Sequence, residues 1–187
     1  LLEMLAQTNT AARISIPAGD GIGEISIVRG HLASASFGAL VGPDAVLTLL
    51  EGARGRFSIA QEERTSPLPA GAQPVRALLF ERAWLEDETK KLSASVPAED
   101  SALEPAGGSD PSGSVASRVP WSRVLEAIRI RPGVVAEELP ALLSLAPARL
   151  RLALALLIES GSIRVRPIRS ATSGEGRLSR LLSDLLL

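Results

Sequence analysis

The chain has no cysteine, a single histidine and few aromatic residues, 3% of its 187 positions. The absence of cysteine excludes disulfides, thiolate metal sites and a thiol nucleophile, and is compatible with a reducing cytoplasm. With so few rings, any core must be aliphatic, and an apolar fraction of 45% is enough to build one. No apolar run approaches the ~20 residues that a membrane helix needs. The longest, Leu152–Ile158, follows Arg151. Nothing resembles a signal peptide. A cytoplasmic location without membrane insertion is therefore expected. Because the chain starts at Leu1 inside an apolar run, it is read as a piece of a longer polypeptide.

Charge is unevenly spread. Residues 1–91 carry a net −2, residues 92–117 carry −4 and residues 118–187 carry +5. Every positive side chain in the last part is arginine, and the chain's two lysines, Lys90 and Lys91, lie outside it. Residues 92–117 lack hydrophobic periodicity and are rich in Pro, Gly, Ser and Ala. Such a segment buries too little apolar surface to offset its ordering entropy, so a flexible linker is expected there. It would separate a first domain, residues 1–91, from a second, residues 118–187.

Gly23–Phe57 is dense in structural punctuation. Gly23–Val28 alternates as a strand, Arg29-Gly30 is a turn, and His31–Phe37 runs back. Ala12–Ile16 is a further strand, joined to the first through the hairpin signal Asp20-Gly21. Pro43 opens a helix over Asp44–Glu51, and Arg56–Ala60 returns as a strand that should place Phe57, like Ile25, in the core. Pro74 opens a helix reaching about Lys91, with Val75, Leu78, Leu79, Arg82 and Leu85 at helical spacing. In the second domain a helix follows Pro120, with Trp121, Val124, Leu125 and Ile128 on its apolar face. Val134–Leu143 reads as a second helix and Ala146 to Ser160 as a third. Ser162–Arg166 is a strand, and Leu178–Leu187 an amphipathic helix. Three helices followed by a strand is a winged-helix pattern. The fold class is therefore α+β: a small antiparallel sheet with packed helices, a flexible linker, and a winged-helix-like module.

Residues 1 to about 88 resemble the PatA-type N-terminal domain of bacterial signalling proteins. The resemblance is carried by Leu1-Leu2 and Leu5, Gly23-Glu24-Ile25, Val28-Arg29-Gly30-His31-Leu32-Ala33-Ser34-Ala35, Gly42, Ala45, Leu49-Leu50 and Gly55-Arg56-Phe57. The family's usual lead-in strand before the first helix is absent. The resemblance implies a regulatory or interaction module and carries no catalytic residue.

The chemistry-bearing candidates are sparse. Gly19-Asp20-Gly21-Ile22-Gly23 is followed by a strand, whereas phosphate-binding glycine loops open a helix, so a hairpin is the better reading. His31 stands without further metal ligands or a nucleophile to serve. Glu62-Glu63, Glu86-Asp87-Glu88 and Glu137-Glu138 are neighbours that point apart and do not form an acid/base pair. No enzyme activity, metal or cofactor is expected. In the third helix of the second domain, Leu150 and Leu152–Ile158 leave only Arg149, Arg151 and Glu159 polar. A helix that reads DNA shows polar side chains along one face. This one is apolar nearly all round, which indicates burial on two sides. The residues expected to touch a partner are Arg149, Arg151, Arg164 and Arg166. Binding to a protein, including a second copy through surplus apolar helical surface, is favoured. A winged-helix transcription regulator that binds DNA through the same arginines is the alternative.

Overall fold

The structure, a computed structural model, describes residues 2–7, 11–19, 21–52, 56–62 and 68–167. It is α+β, with helices packed on two antiparallel sheets. The expected helix Leu178–Leu187 lies outside the described residues.

The first sheet has the order β4-β3-β2-β1-β5. Its strands are β1 (Ala11–Ala18), β2 (Gly21–Val28), β3 (His31–Phe37), β4 (Leu40–Val41) and β5 (Ser58–Glu62). Period-two alternation sends Ile14, Ile25 and Ala35, in register across three strands, into the core. Arg13, Glu24 and Ser36 face solvent. Arg29 and Gly30 both have positive φ, 50° and 74°, the backbone that a tight two-residue hairpin requires. This turn also seats a helix: the Gly30 carbonyl accepts the Val75 N–H at 2.9 Å, and the Leu32 N–H donates to the Gln73 carbonyl at 2.8 Å.

The helices α1 (Leu2–Gln7), α2 (Gly42–Gly52) and α3 (Val75–Lys91) accompany this sheet. The core beneath it includes Leu2, Ala45, Val46, Leu49, Val75 and Leu78. Gly23 is needed mid-strand, because a Cβ there would collide with the Leu49 side chain. Phe57 departs from expectation: it is 51% exposed and precedes β5. In the described sheet β5 is an edge strand paired only with β1. Ile59, opposite the fully buried Ile14, is exposed as well, so the helical cover ends before this edge.

The second sheet, ordered β7-β6-β8, consists of β6 (Ser101–Pro105), β7 (Val134–Val135) and β8 (Ile163–Pro167). It packs with α4 (Trp121–Ile130), α5 (Leu139–Leu143) and α6 (Pro147–Glu159). Two expectations change here. Residues 134–143 are not one helix: Val134-Val135 pairs with Ala102 and Leu103 of β6, and helix begins in earnest only at Leu139. Residues 92–117 are not a structureless linker. They supply the middle strand of this sheet, and Leu103 is fully buried in its core. Gly108, within the most linker-like stretch, abuts the turn after α6: its N–H donates to the Gly161 carbonyl at 3.0 Å, and a Cβ there would strike the Gly161 backbone. Ser162 adds a 2.7 Å hydrogen bond from its hydroxyl to the Ser109 carbonyl.

The second core draws Leu47 from α2 and Leu85 from α3. Both helices therefore serve two cores. Ala45, Val46 and Leu49 of α2 face the first sheet while Leu47 faces away, and α3 passes from Leu78 in the first core to Leu85 in the second.

Candidate functional site

The junction of α2, α3 and α6 gathers most of the partly buried charge. Arg149, in the first turn of α6 two residues after Pro147, reaches two acids from distant parts of the chain. Its Nη1 donates to Asp44 Oδ2 at 2.9 Å, while Nε and Nη2 donate to Glu81 Oε1 at 2.9 and 2.6 Å. Asp44 uses its other oxygen to accept the Ala146 N–H at 2.8 Å. The three side chains are only 17–23% exposed, so their pairing is screened less than a surface pair. Asp44 therefore ties the start of α2 to the start of α6, and Glu81 ties α3 to the same guanidinium.

Two residues further along α6, Arg151 pairs with Glu51 of α2. Burial pushes its guanidinium below the usual pKa, although arginine stays charged. A cleft of ≈ 380 Å³ opens beside this pair, floored by Leu47, Leu85 and Ala148 and rimmed by Glu51, Arg82, Glu86, Lys90 and Arg151. Lys90 donates to Glu86 at 2.8 Å, which holds the Glu86 carboxyl below its ordinary pKa and the Lys90 ammonium above its own. Close by, Arg118 stacks over the Trp84 ring at 3.9 Å from its centroid, joining the residues just before α4 to α3.

The four arginines read from the sequence thus separate. Arg149 and Arg151 are engaged within the chain at the junction. Arg166, on β8, pairs with Glu104 of the neighbouring strand at 3.1 Å. Arg164 is exposed, with no ion pair to a described residue. The structure does not bring the four together as one patch. The apolar surface of α6 is not surplus either: Leu150, Leu152, Ala153, Leu154, Ala155 and Leu157 are all buried, with α3 and α4 among the elements against it. Exposed apolar surface lies elsewhere. Phe80 of α3 is 75% exposed and Met4 of α1 59%. Phe80 borders a shallow groove with Glu3, Arg76, Leu79 and Ala83.

His31 belongs to the hairpin turn, its Nδ1 2.9 Å from the Arg29 carbonyl, which can only accept. Among the described residues no group of three or more His, Cys, Asp or Glu side chains is placed to hold a metal ion. None of their helices is long and apolar enough to cross a membrane. Asp44, Glu51 and Glu81 carry no local sequence signal that marks them as partners of these arginines. Asp44 and Glu81 lie 105 and 68 residues from Arg149, and no local pattern announces such a pairing. No family model matches the chain, and no curated protein or solved structure matches it significantly.

Proposed function

We propose that this chain is a non-catalytic regulatory part of a bacterial signalling protein and that it acts by binding another protein in the cytoplasm. The resemblance of residues 1–88 to the PatA-type domain supports the signalling half of that reading. The observation that carries the binding half is Phe80: a large apolar side chain three-quarters exposed on a long helix, bordering one groove with Leu79 and Ala83. Isolated exposed apolar residues are ordinary, but clustered ones mark contact surfaces. The alternative, DNA binding by a winged helix, loses its main support at the third helix. α6 is packed into the molecule, and two of the four candidate arginines are committed to Asp44, Glu81 and Glu51.

The two readings separate in a salt titration of electrophoretic mobility with random duplex DNA, alongside light scattering of the same protein. Four arginine–phosphate contacts give a log–log salt slope of roughly −3 to −4. The protein-contact reading expects no retarded complex at low salt. A complex with that steep slope, lost on Arg164→Ala and Arg166→Ala, would replace it with the DNA reading.

A further inference from the structure

We infer that the exposed face of α3 seats a second copy of this chain, with the two α3 helices antiparallel. The inference rests on the protein-binding reading above and gives that reading a partner. α3 buries Val75, Leu78 and Leu85. At 3.6 residues per turn, the opposite side is held by Arg76, Phe80, Ala83 and Asp87, whose directions fall within about 60° of one another. All four are exposed. Their spacing of four, three and four residues is that of a heptad seam, the stripe along which paired helices pack knobs into holes. No described element covers it.

The seam is complementary to its own reverse. A two-fold axis midway between Glu81 and Arg82 sets Arg76 opposite the partner's Asp87 and Phe80 opposite the partner's Ala83, and each contact occurs twice. The largest side chain of the seam meets the smallest, and the positive end of one helix meets the negative end of the other. The groove of ≈ 510 Å³ that runs past Leu79 and Ala83 has room for the entering ring. A parallel pair would instead oppose arginine to arginine and aspartate to aspartate, which disfavours it. Among the described residues Arg76 makes no ion pair. Asp87 pairs only along its own helix, with Lys91 at 3.0 Å, and both side chains are more than half exposed. So exposed a pair is weak and leaves the carboxylate able to accept a second donor. An unrelated protein has no reason to reproduce both the size match and the charge match. The seam is short, about 17 Å from Arg76 to Asp87, so the dimer is a weak one, with a Kd of roughly 10–100 μM.

Sedimentation velocity of the full chain, from about 5 to 500 μM, tests this. The parent should pass from monomer to dimer across that range. Phe80→Asp should remain a monomer. Arg76→Glu alone and Asp87→Arg alone each place two like-charge pairs across the seam, and each should weaken the dimer about tenfold or more. An equimolar mixture of those two variants should re-associate to within about threefold of the parent, because both pairs across the mixed dimer are then of opposite charge. Every substituted position is exposed, so each variant should melt within about 2 °C of the parent. A parent that stays monomeric throughout overturns the inference. So does a dimer indifferent to Phe80→Asp and to both charge reversals, which assigns association to another surface. Two dissociated variants that fail to re-associate on mixing overturn the antiparallel pairing. None of these outcomes removes the protein-binding reading, which falls instead to the salt-dependent DNA complex described above.

Discussion

The two cores of this molecule are built by opposite means. The first rests on a sheet whose strands β1 to β4 follow one another through short turns, with one face covered by α2 and α3. The second is gathered from segments far apart in the chain: Leu47, Leu85, Leu103 and then a run of side chains from Val119 to Ile163. Its central helix, α6, is covered on several sides, and part of that cover comes from α3. The first core has its own local logic. The second borrows from the first, and the Asp44–Arg149–Glu81 cluster fastens the loan at its polar edge. A nominal domain boundary drawn from composition therefore does not mark a mechanical one.

The strongest way to break this comparison is Leu103→Ala. A fully buried leucine in the middle strand should cost about 2–5 kcal/mol on truncation, measured by urea denaturation. A linker residue would cost nothing measurable. Next is Arg149→Ala, which strands two partly buried carboxylates. It is expected to cost about 2–3 kcal/mol, while Arg164→Ala stays within about 0.5 kcal/mol. A double-mutant cycle with Asp44→Ala should show the coupling directly. Gly108→Ala should cost roughly 1–3 kcal/mol, because its Cβ meets the Gly161 backbone, while the neighbouring Gly107→Ala enters open space and should be near neutral.

Phe57→Ala is expected below about 1 kcal/mol because half of that side chain is already in water, whereas Ile25→Ala should cost about 2–5 kcal/mol. The smallest effect concerns Lys90. Its hydrogen bond depresses the Glu86 pKa, so any stability from this exposed pair is present at neutral pH and fades as pH falls through the depressed value. Lys90→Ala should raise the Glu86 titration midpoint seen by NMR without a measurable change in Tm.

The legible parts of the fold are those where one local rule decides. Arg29-Gly30 sits between alternating strands, and the alternation of Ile25 and Ile27 with Glu24 and Ser26 announces the buried face. The helices after Pro43, Pro74, Pro120 and Pro147 announce themselves by proline and by periodicity. The all-round apolar character of α6 correctly signals burial on more than one side. What stayed hidden depends on distant neighbours. Ser101–Pro105 holds one leucine among small and polar residues, too little for a strand signal. It becomes the middle strand because β7 and β8 flank it. Phe57 has the right alternation, but sequence does not tell an edge strand from a central one. Val134-Val135 offers two residues of strand ahead of a helical pattern, and the pattern dominates. The candidate arginines showed their charge and concealed their partners, because Asp44 and Glu81 reach Arg149 only through the packing of α2 and α3 on α6.

Hydrogen–deuterium exchange on the intact chain tests the central claim that residues 92–117 and α6 are built into one structure shared by both cores. Backbone amides protected by a paired strand exchange through local or global opening, those of a linker at the unprotected rate. The account predicts that peptides covering 101–105 and 150–157 exchange as slowly as those of β1 and β2, and that Arg149→Ala speeds exchange in α6 and at the Asp44 end of α2 together. Exchange of 101–105 at the rate of an unstructured peptide, with 150–157 unaffected by the loss of Arg149, would contradict it.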